Sequence, residues 1–341
     1  MIQRIKLADV ARLAGVSSAT VSRSLNYPNL LKKDTLKRIQ DAIVRLGYVP
    51  DSTGRALASR RTQTVGLVVP TLDHAIFSRF TQTMQTALAE SGYQLLIASH
   101  EYNPTLELSG ARALIERGVD ALVLVGLERS AALDDLLAQS GIPMLATWAL
   151  DRSGKTVSVG FDNQAASVLA ARHLVALGHR EFGVISGYLH YNDRARARVE
   201  GVREALREGG IKLSAASIIE QPFTYAGGRD GLRALAAMSP RPTAVLCGND
   251  LLAIGALIEC QALGLAVPQE ISVIGFDNQE LASHFSPGLT TINVPAADLG
   301  RISARTILQL MAGVVVQAPI ELPIELVVRG STGPVAGLRK P

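Results

Sequence analysis

LADVARLAGVSSATVSRSLNY, residues 7–27, decides how the rest of the chain is read. Leu7, Val10, Ala11 and Ala14 recur at helical spacing, so the first part predicts a short helix with one apolar face. Gly15 supplies the permissive backbone that a tight turn needs, and Val16 plugs that turn. Ser17 stands where an N-cap belongs, and Ala19 to Leu25 predicts a second short helix whose Val21 and Leu25 face inward. Ser18, Ala19, Ser22 and Arg23 are then left pointing outward. Small side chains on the first turn of an exposed helix let its N-terminal end approach base edges in a major groove, with backbone N–H groups near phosphate. The stretch reads as a helix-turn-helix.

A third helix is predicted from about Asp34 to Leu46, with Leu36, Ile39, Ala42, Ile43 and Leu46 on one face and Gly47 ending it. Lys32, Lys33, Lys37, Arg38 and Arg45 remain available to solvent or phosphate. Residues 1–62 carry twelve Lys and Arg against four Asp, a net charge of +8. The whole chain holds 34 basic and 30 acidic residues, so the remainder carries 22 against 26, or −4. Positive charge concentrated in one small headpiece points to nucleic acid as a partner.

With 341 residues, 48% of them apolar, the chain can build two or three compact units with sizeable cores. No signal peptide or membrane-length apolar run is present in the sequence, so a cytoplasmic protein with no membrane partner is expected. Cys247 and Cys260 are the only cysteines. Both lie in apolar contexts and are expected to be buried free thiols rather than a bridge or a metal site. The sequence has no glycine-rich nucleotide fingerprint, no nucleophile elbow and no metal-ligand cluster, so no catalytic residues, metal or cofactor are expected and the chain is not read as an enzyme.

From Thr64 onward, short β-branched runs alternate with amphipathic helical stretches. Strands are predicted at Val65 to Val69, Gln94 to Ala98, Ala121 to Val125, Pro143 to Thr147 and Val157 to Phe161. A second series runs through Phe182 to Ser186, Ile218 to Glu220, Ala244 to Cys247 and Ile271 to Phe276. Crossovers of this length favour parallel strands flanked by helices on both faces, with ligands gathered beyond the carboxyl ends of the strands. Two such series imply an α/β protein with two doubly wound lobes. The tail adds a strand at Thr290 to Val294, a helix from about Ala296 to Met311 and a strand at Ile320 to Val328, too little for a third domain, so it is expected to thread back through both lobes.

Asp9-Val-Ala, Gly15-Val-Ser, Thr20-Val-Ser-Arg, Leu46-Gly-Tyr-x-Pro and Arg55-x-Leu57 together resemble the lactose-repressor family of bacterial transcription regulators. Leu177-Gly-His-Arg, Arg198-x-x-Gly, Arg241-Pro-Thr-Ala, Cys247-Gly-Asn-Asp, Gly264-Leu-x-Val-Pro, Ile274-Gly-Phe-Asp and Leu289-Thr-Thr-Ile carry the likeness along the rest of the chain. The resemblance implies a helix-turn-helix DNA-binding headpiece over residues 1–50 and a hinge over 51–62. Residues 63–341 then form a dimerising effector domain similar to periplasmic sugar-binding proteins. Its lobe one comprises about 63–161 and 292–320, and its lobe two about 162–291 and 321–334, joined by three crossings. Implied DNA contacts are Ser17, Ser18, Ala19, Thr20, Ser22 and Arg23, with Arg55 and Leu57 in the hinge, Leu57 as an apolar wedge in the minor groove. The implied partner is a near-palindromic double-stranded operator bound by a homodimer.

Arg198, Asn249 and Asp277 occupy positions where the family places polar groups that touch a small-molecule effector, and Phe77, Trp148 and Phe223 fall at or beside positions lining the cleft. The chemistry agrees with a small polar ligand. A carboxylate accepts from two neighbouring hydroxyls, an amide donates and accepts, and a guanidinium offers a rigid fork for an oxygen pair or a carboxylate. Asn192 and Arg196 are lesser candidates, because AsnAspArgAlaArgAlaArg also reads as a solvated face. Short strings at Thr147 to Leu150, Gly160 to Asp162 and Leu257 to Gln261 resemble the gluconate-repressor branch more than the purine branch. A sugar or sugar-acid effector is therefore expected, with a purine-responsive repressor as the alternative and, from another class, a solute-binding protein without DNA function. The basic headpiece argues against the last.

Three departures from the family pattern stand out. Lys32 takes the usual small capping position before the third helix, which costs about 1 kcal/mol of capping. Gly54 replaces the usual alanine ahead of Arg55, a cost of roughly 1 kcal/mol within a helix. No heptad repeat follows Val328, so the tetramerising tail of some relatives is not expected and a dimer is.

Overall fold

Among the described residues, three α-helices make the N-terminal unit: α1 (Leu7–Ala14), α2 (Ser18–Asn26) and α3 (Lys33–Leu46). A computed structural model describes residues 5–49 and 61–335 of the chain, which fall into two units parting between Gln63 and Thr64. Gly15 adopts the left-handed conformation (φ 64°) that closes α1, and Val16 N returns to Ala11 O at 3.0 Å. That tight reversal lets Val10, Ala11 and Ala14 of α1 meet Val21 of α2 and Ile39 and Ala42 of α3 in one small core. Lys32 precedes α3 without any side-chain cap bond, as the sequence suggests.

The second unit is built on two six-stranded sheets. Its elements are β1 (Thr64–Val69), α4 (Ala75–Glu90), β2 (Gln94–Ser99), α5 (Pro104–Glu116), β3 (Ala121–Val125), α6 (Ala131–Ser140), β4 (Met144–Thr147) and β5 (Ser158–Gly160). Then follow α7 (Asn163–Ala176), β6 (Phe182–Ser186), α8 (Asp193–Glu208), β7 (Ile218–Glu220), α9 (Tyr225–Ala236), β8 (Ala244–Cys247), α10 (Asp250–Leu263) and β9 (Ser272–Asp277). The tail supplies α11 (Glu280–His284), β10 (Thr290–Asn293), α12 (Ala296–Met311), β11 (Ile320–Glu321) and β12 (Glu325–Val327). The first sheet runs β2-β1-β3-β4-β5-β11 and the second β7-β6-β8-β9-β10-β12. All pairings are parallel except the antiparallel edge β12 on β10.

β3 shows why the strands read as unbroken apolar runs. Every residue in it is buried. Ala121, Val123 and Val125 pack into the core shared with α4, α7 and α12, while Leu122 and Leu124 pack under α5 and α6 on the other face. A strand with helices on both sides has no polar face to show.

The two sheets share one strand order, in which the direction of winding reverses beside the first strand of each lobe, between β1 and β3 and again between β6 and β8. In open α/β sheets, ligands bind beyond the carboxyl ends of the strands at that reversal. The chain passes between the lobes three times, after Gly160, after Asn293 and between Glu321 and Glu325.

The single strand expected over Ile320 to Val328 is in fact two. Ile320 pairs with Val159 in the first sheet and Leu322 N still reaches Gly160 O at 2.7 Å, whereas Leu326 pairs with Ile292 in the second. Pro323 sits between them. It has no N–H to donate, so the ladder stops there and the chain changes sheets. Cys247 and Cys260 are buried and unbridged.

Candidate functional site

α2 begins on Ser17, whose Oγ accepts from Thr20 N at 3.2 Å and hydrogen-bonds Thr20 Oγ1 at 2.9 Å. Both hydroxyls are thereby occupied in starting the helix. Ser18, Ala19 and Arg23 are exposed and Ser22 is half-buried, so the outer edge of α2 presents small side chains at its N-terminal turn and one guanidinium a turn later. Ser24 was not singled out from the sequence; it is buried and its Oγ donates to Val21 O at 2.7 Å. Arg55 and Leu57 lie outside the described residues.

In the second unit, the six sequence-predicted cleft residues come together. Phe77, Trp148, Arg198, Phe223, Asn249 and Asp277 border one cleft of about 470 Å³ between the carboxyl ends of the two sheets. Phe77 comes from the first turns of α4 and Trp148 from just beyond β4. Their rings meet at a centroid distance of 4.8 Å. Trp148 is more floor than wall: it is 2% exposed, packs on Phe80 and Phe161, and has a left-handed backbone (φ 69°). Its indole Nε1 has no hydrogen-bond partner among the described residues. Phe223 reaches across from the other lobe to His74 and Tyr102. Gly187 makes room for it, since a Cβ there would overlap the Phe223 ring.

The polar groups are more committed than their residue types suggest. Arg198 donates from Nε to Asn163 Oδ1 (2.9 Å) and from Nη1 to Gly248 O (2.6 Å), and its guanidinium lies 3.6 Å above the Phe276 ring. That leaves Nη2 as its freest nitrogen, not a whole fork. Burial, partly offset by Asp277, pulls Arg198 down to about 10, so it remains cationic at neutral pH. Asn249 caps α10, its Oδ1 accepting from Leu252 N at 3.0 Å, which leaves its NH2 as the end not engaged in the cap. Asp277 is buried at φ 120°, a backbone strained for a non-glycine residue. Burial and the neighbouring Asp250 push its carboxyl up, opposed by Arg198. Asp250 is itself spent on Thr291 Oγ1 (2.6 Å) and Gln279 N (2.7 Å).

Beside the cleft, a polar seam ties the start of α8 in the second lobe to the β3–α6 loop and α5 of the first. Tyr191 Oη donates to Glu107 Oε2 at 2.6 Å and accepts from Ser130 N at 3.0 Å. Asp193 Oδ2 accepts from Leu127 N (2.8 Å), Arg194 Nη1 donates to Val125 O (3.2 Å), and Arg196 Nη2 donates to Glu128 Oε2 (2.7 Å). Burial pushes the Glu107 carboxyl up. Arg196 thus belongs to the seam, while Asn192 borders the cleft and caps α8 through Ala195 N at 3.2 Å.

Three cleft residues with polar or ring side chains escaped the sequence reading: His74, Tyr102 and Arg194. His74 and Tyr102 follow β1 and β2, so the rule that ligand groups gather after strands pointed to both. Arg194 carried no such signal. Among the described residues no group of three or more His, Cys, Asp and Glu is arranged to hold a metal, and no helix is long and apolar enough to cross a membrane.

A helix-turn-helix unit coupled to a two-lobed unit with an interlobe cleft defines a ligand-responsive DNA-binding regulator. Residues 6–51 match the family model described as bacterial regulatory proteins, lacI family, and residues 171–332 match a periplasmic binding protein-like domain. The chain is 33% identical over 299 residues to the HTH-type transcriptional repressor PurR of Photorhabdus laumondii, covering 87% of each chain. Among solved structures, the Lac repressor dimer bound to operator and the anti-inducer ONPF superimposes with a TM-score of 0.87 at 26% identity, over 97% of this chain and 100% of that one. The transcription regulator GntR from Chromobacterium violaceum does so with a TM-score of 0.74 at 32% identity, over 79% and 99%. This chain belongs to the lacI family of bacterial transcription regulators, as a ligand-responsive repressor. The relatives named are DNA-binding regulators, not enzymes.

Proposed function

We propose that this repressor controls carbohydrate or sugar-acid utilisation genes and that its effector is gluconate or a closely related sugar acid. The observation that carries the ligand class is the convergence of Arg198, Asn249 and Asp277 with Phe77 and Phe223 on one cleft. Rings cover the apolar face of a polyol, the Asp277 carboxyl and the Asn249 NH2 take hydroxyls, and Arg198 offers charge to an acid. The likeness to GntR supports the same branch. Ser17, Ser18, Ala19, Thr20, Ser22 and Arg23 are assigned to one half of a near-palindromic operator and Leu57 to its centre, within a homodimer. The headpiece and hinge take the bounds read from the sequence, whereas the lobe bounds move to the crossings, since Ile292 and Asn293 belong to the second sheet and Glu321 to the first.

Only a ligand that binds one interlobe arrangement better than another can regulate. Moving the dimer from 1:99 to 99:1 takes about 5.5 kcal/mol of differential affinity, within reach of two sites with several charge-assisted hydrogen bonds each. The test is a screen of sugars, sugar acids, phosphorylated sugars and purines by thermal shift and Trp148 emission. A ligand at a hundred times its dissociation constant adds about 2.7 kcal/mol of stability. Gluconate or a near relative is expected to shift both signals saturably. A purine that does so while every sugar acid fails overturns the assignment in favour of the purine-responsive reading, which the likeness to PurR favours.

A further inference from the structure

α8 brings a second arginine to the cleft beside Arg198. Arg194 is 7% exposed and borders the same cleft. Its Nη1 is committed to Val125 O and to Asp193 Oδ1 (2.8 Å), and Tyr102 borders the same cleft. Gly126, at φ 92°, makes the seat possible, because a Cβ there would overlap Arg194 Nη1. The pairing with Asp193 compensates part of the cost of burying the charge. Its charge still acts on Arg198 across the cleft lining and on the buried His100, lowering both. Two guanidinium groups bordering one cleft repel each other, and an anion entering between them relieves that repulsion. Arg198 alone is ill placed to grip a carboxylate with both prongs, because its Nε and Nη1 are already bonded to the protein.

We propose that Arg194 is the residue that makes this cleft select acids over neutral sugars: the ligand carboxylate lies between Arg194 and Arg198, and its hydroxyls run toward Asn249 and Asp277. The inference rests on the sugar-acid reading of the same site and names the group that reads the acid. A neutral ligand in that place adds no negative charge to that of Asp193 and Asp277, so the mutual repulsion of the two cations is left as it was and the acid is favoured over its neutral counterpart.

The test compares matched acid and neutral ligands, gluconate against glucitol and glucuronate against glucose. Each is titrated by calorimetry and Trp148 emission into the full-length protein and its Arg194→Gln and Arg194→Lys variants. Wild type is expected to prefer the acid of each pair. In Arg194→Gln the acid loses ~10–100-fold more affinity than its neutral partner, as loss of one charge-assisted hydrogen bond dictates, any loss common to both reporting the seam bond to Val125. Arg194→Lys keeps the charge and most of the preference. Equal losses for acid and neutral ligand mean that Arg194 serves only the seam between the lobes and overturn the proposal, as does an unchanged preference in Arg194→Gln. If wild type binds no acid at all, the sugar-acid reading falls and takes this inference with it, an outcome distinct from acid binding that ignores Arg194.

Discussion

Replacing Tyr191 with phenylalanine deletes one oxygen and keeps the ring. That oxygen makes two bonds across the lobes, donating to Glu107 Oε2 at 2.6 Å and accepting from Ser130 N at 3.0 Å. Glu107 is 2% exposed, so while the lobes are together no water replaces the lost donor. A buried polar group left without its partner costs about 1–3 kcal/mol. Glu107 and Ser130 sit in the first lobe and Tyr191 in the second, so parting the lobes hydrates the orphaned groups and the cost falls on the closed arrangement. Effector affinity depends on the closed fraction and is expected to fall by roughly 5–150-fold, although the side chain touches no ligand. The assay is calorimetric titration of wild type and Tyr191→Phe with the best-binding sugar acid, alongside urea unfolding of both without ligand. Affinity within twofold of wild type refutes the reasoning. So does a loss of ligand-free stability that accounts for the whole change.

Three further outcomes are expected. His100 is 3% exposed, neither ring nitrogen has a hydrogen-bond partner among the described residues, and burial, then Arg194, hold it down to about 4. A histidine lowered on folding adds stability above its ordinary value of 6.5 that is lost as pH falls toward 4. Between pH 8 and pH 5 the loss comes to about 2 kcal/mol, and His100→Phe should flatten that part of the urea-midpoint profile; an unchanged slope counts against the assignment. Ser17→Ala removes the α2 cap and should cost the headpiece ~1 kcal/mol, read as lower operator affinity with effector affinity unaltered. Gly187→Ala drives a methyl into the Phe223 ring and should weaken effector binding while sparing operator binding, which gel-shift titration with and without effector separates.

The fold was legible where one physical demand dominates. β3 is buried on both faces, and nothing but a run of apolar residues meets that demand. Gly15 had to be permissive because the chain reverses there with φ 64°. The sequence was less informative where two demands leave the same mark. An asparagine followed by an aspartate after a strand fits a ligand site and a helix cap equally, and Asn249 does the capping with its one acceptor oxygen. Arg194, Arg196 and Arg198 alternate with alanine and look like a solvated face. Once α8 is seen to start at Asp193, one of them meets the cleft through Gly126, one joins the seam and one lies over Phe276. The break at Pro323 was readable from its missing N–H, yet the flanking β-branched residues outweighed it.

The way the tail finishes both sheets bears on synthesis. The edge strand of the first sheet begins at Ile320, which pairs with Val159, and that of the second at Glu325, which pairs with Asn293. A nascent chain emerging from its N-terminus first completes α1, α2 and α3, whose core, among the described residues, ends at Tyr48. Both sheets keep an open edge until the last few dozen residues are made. A ribosome stalled before residue 320 therefore displays a finished headpiece attached to two unfinished lobes, a DNA reader made before the part that controls it.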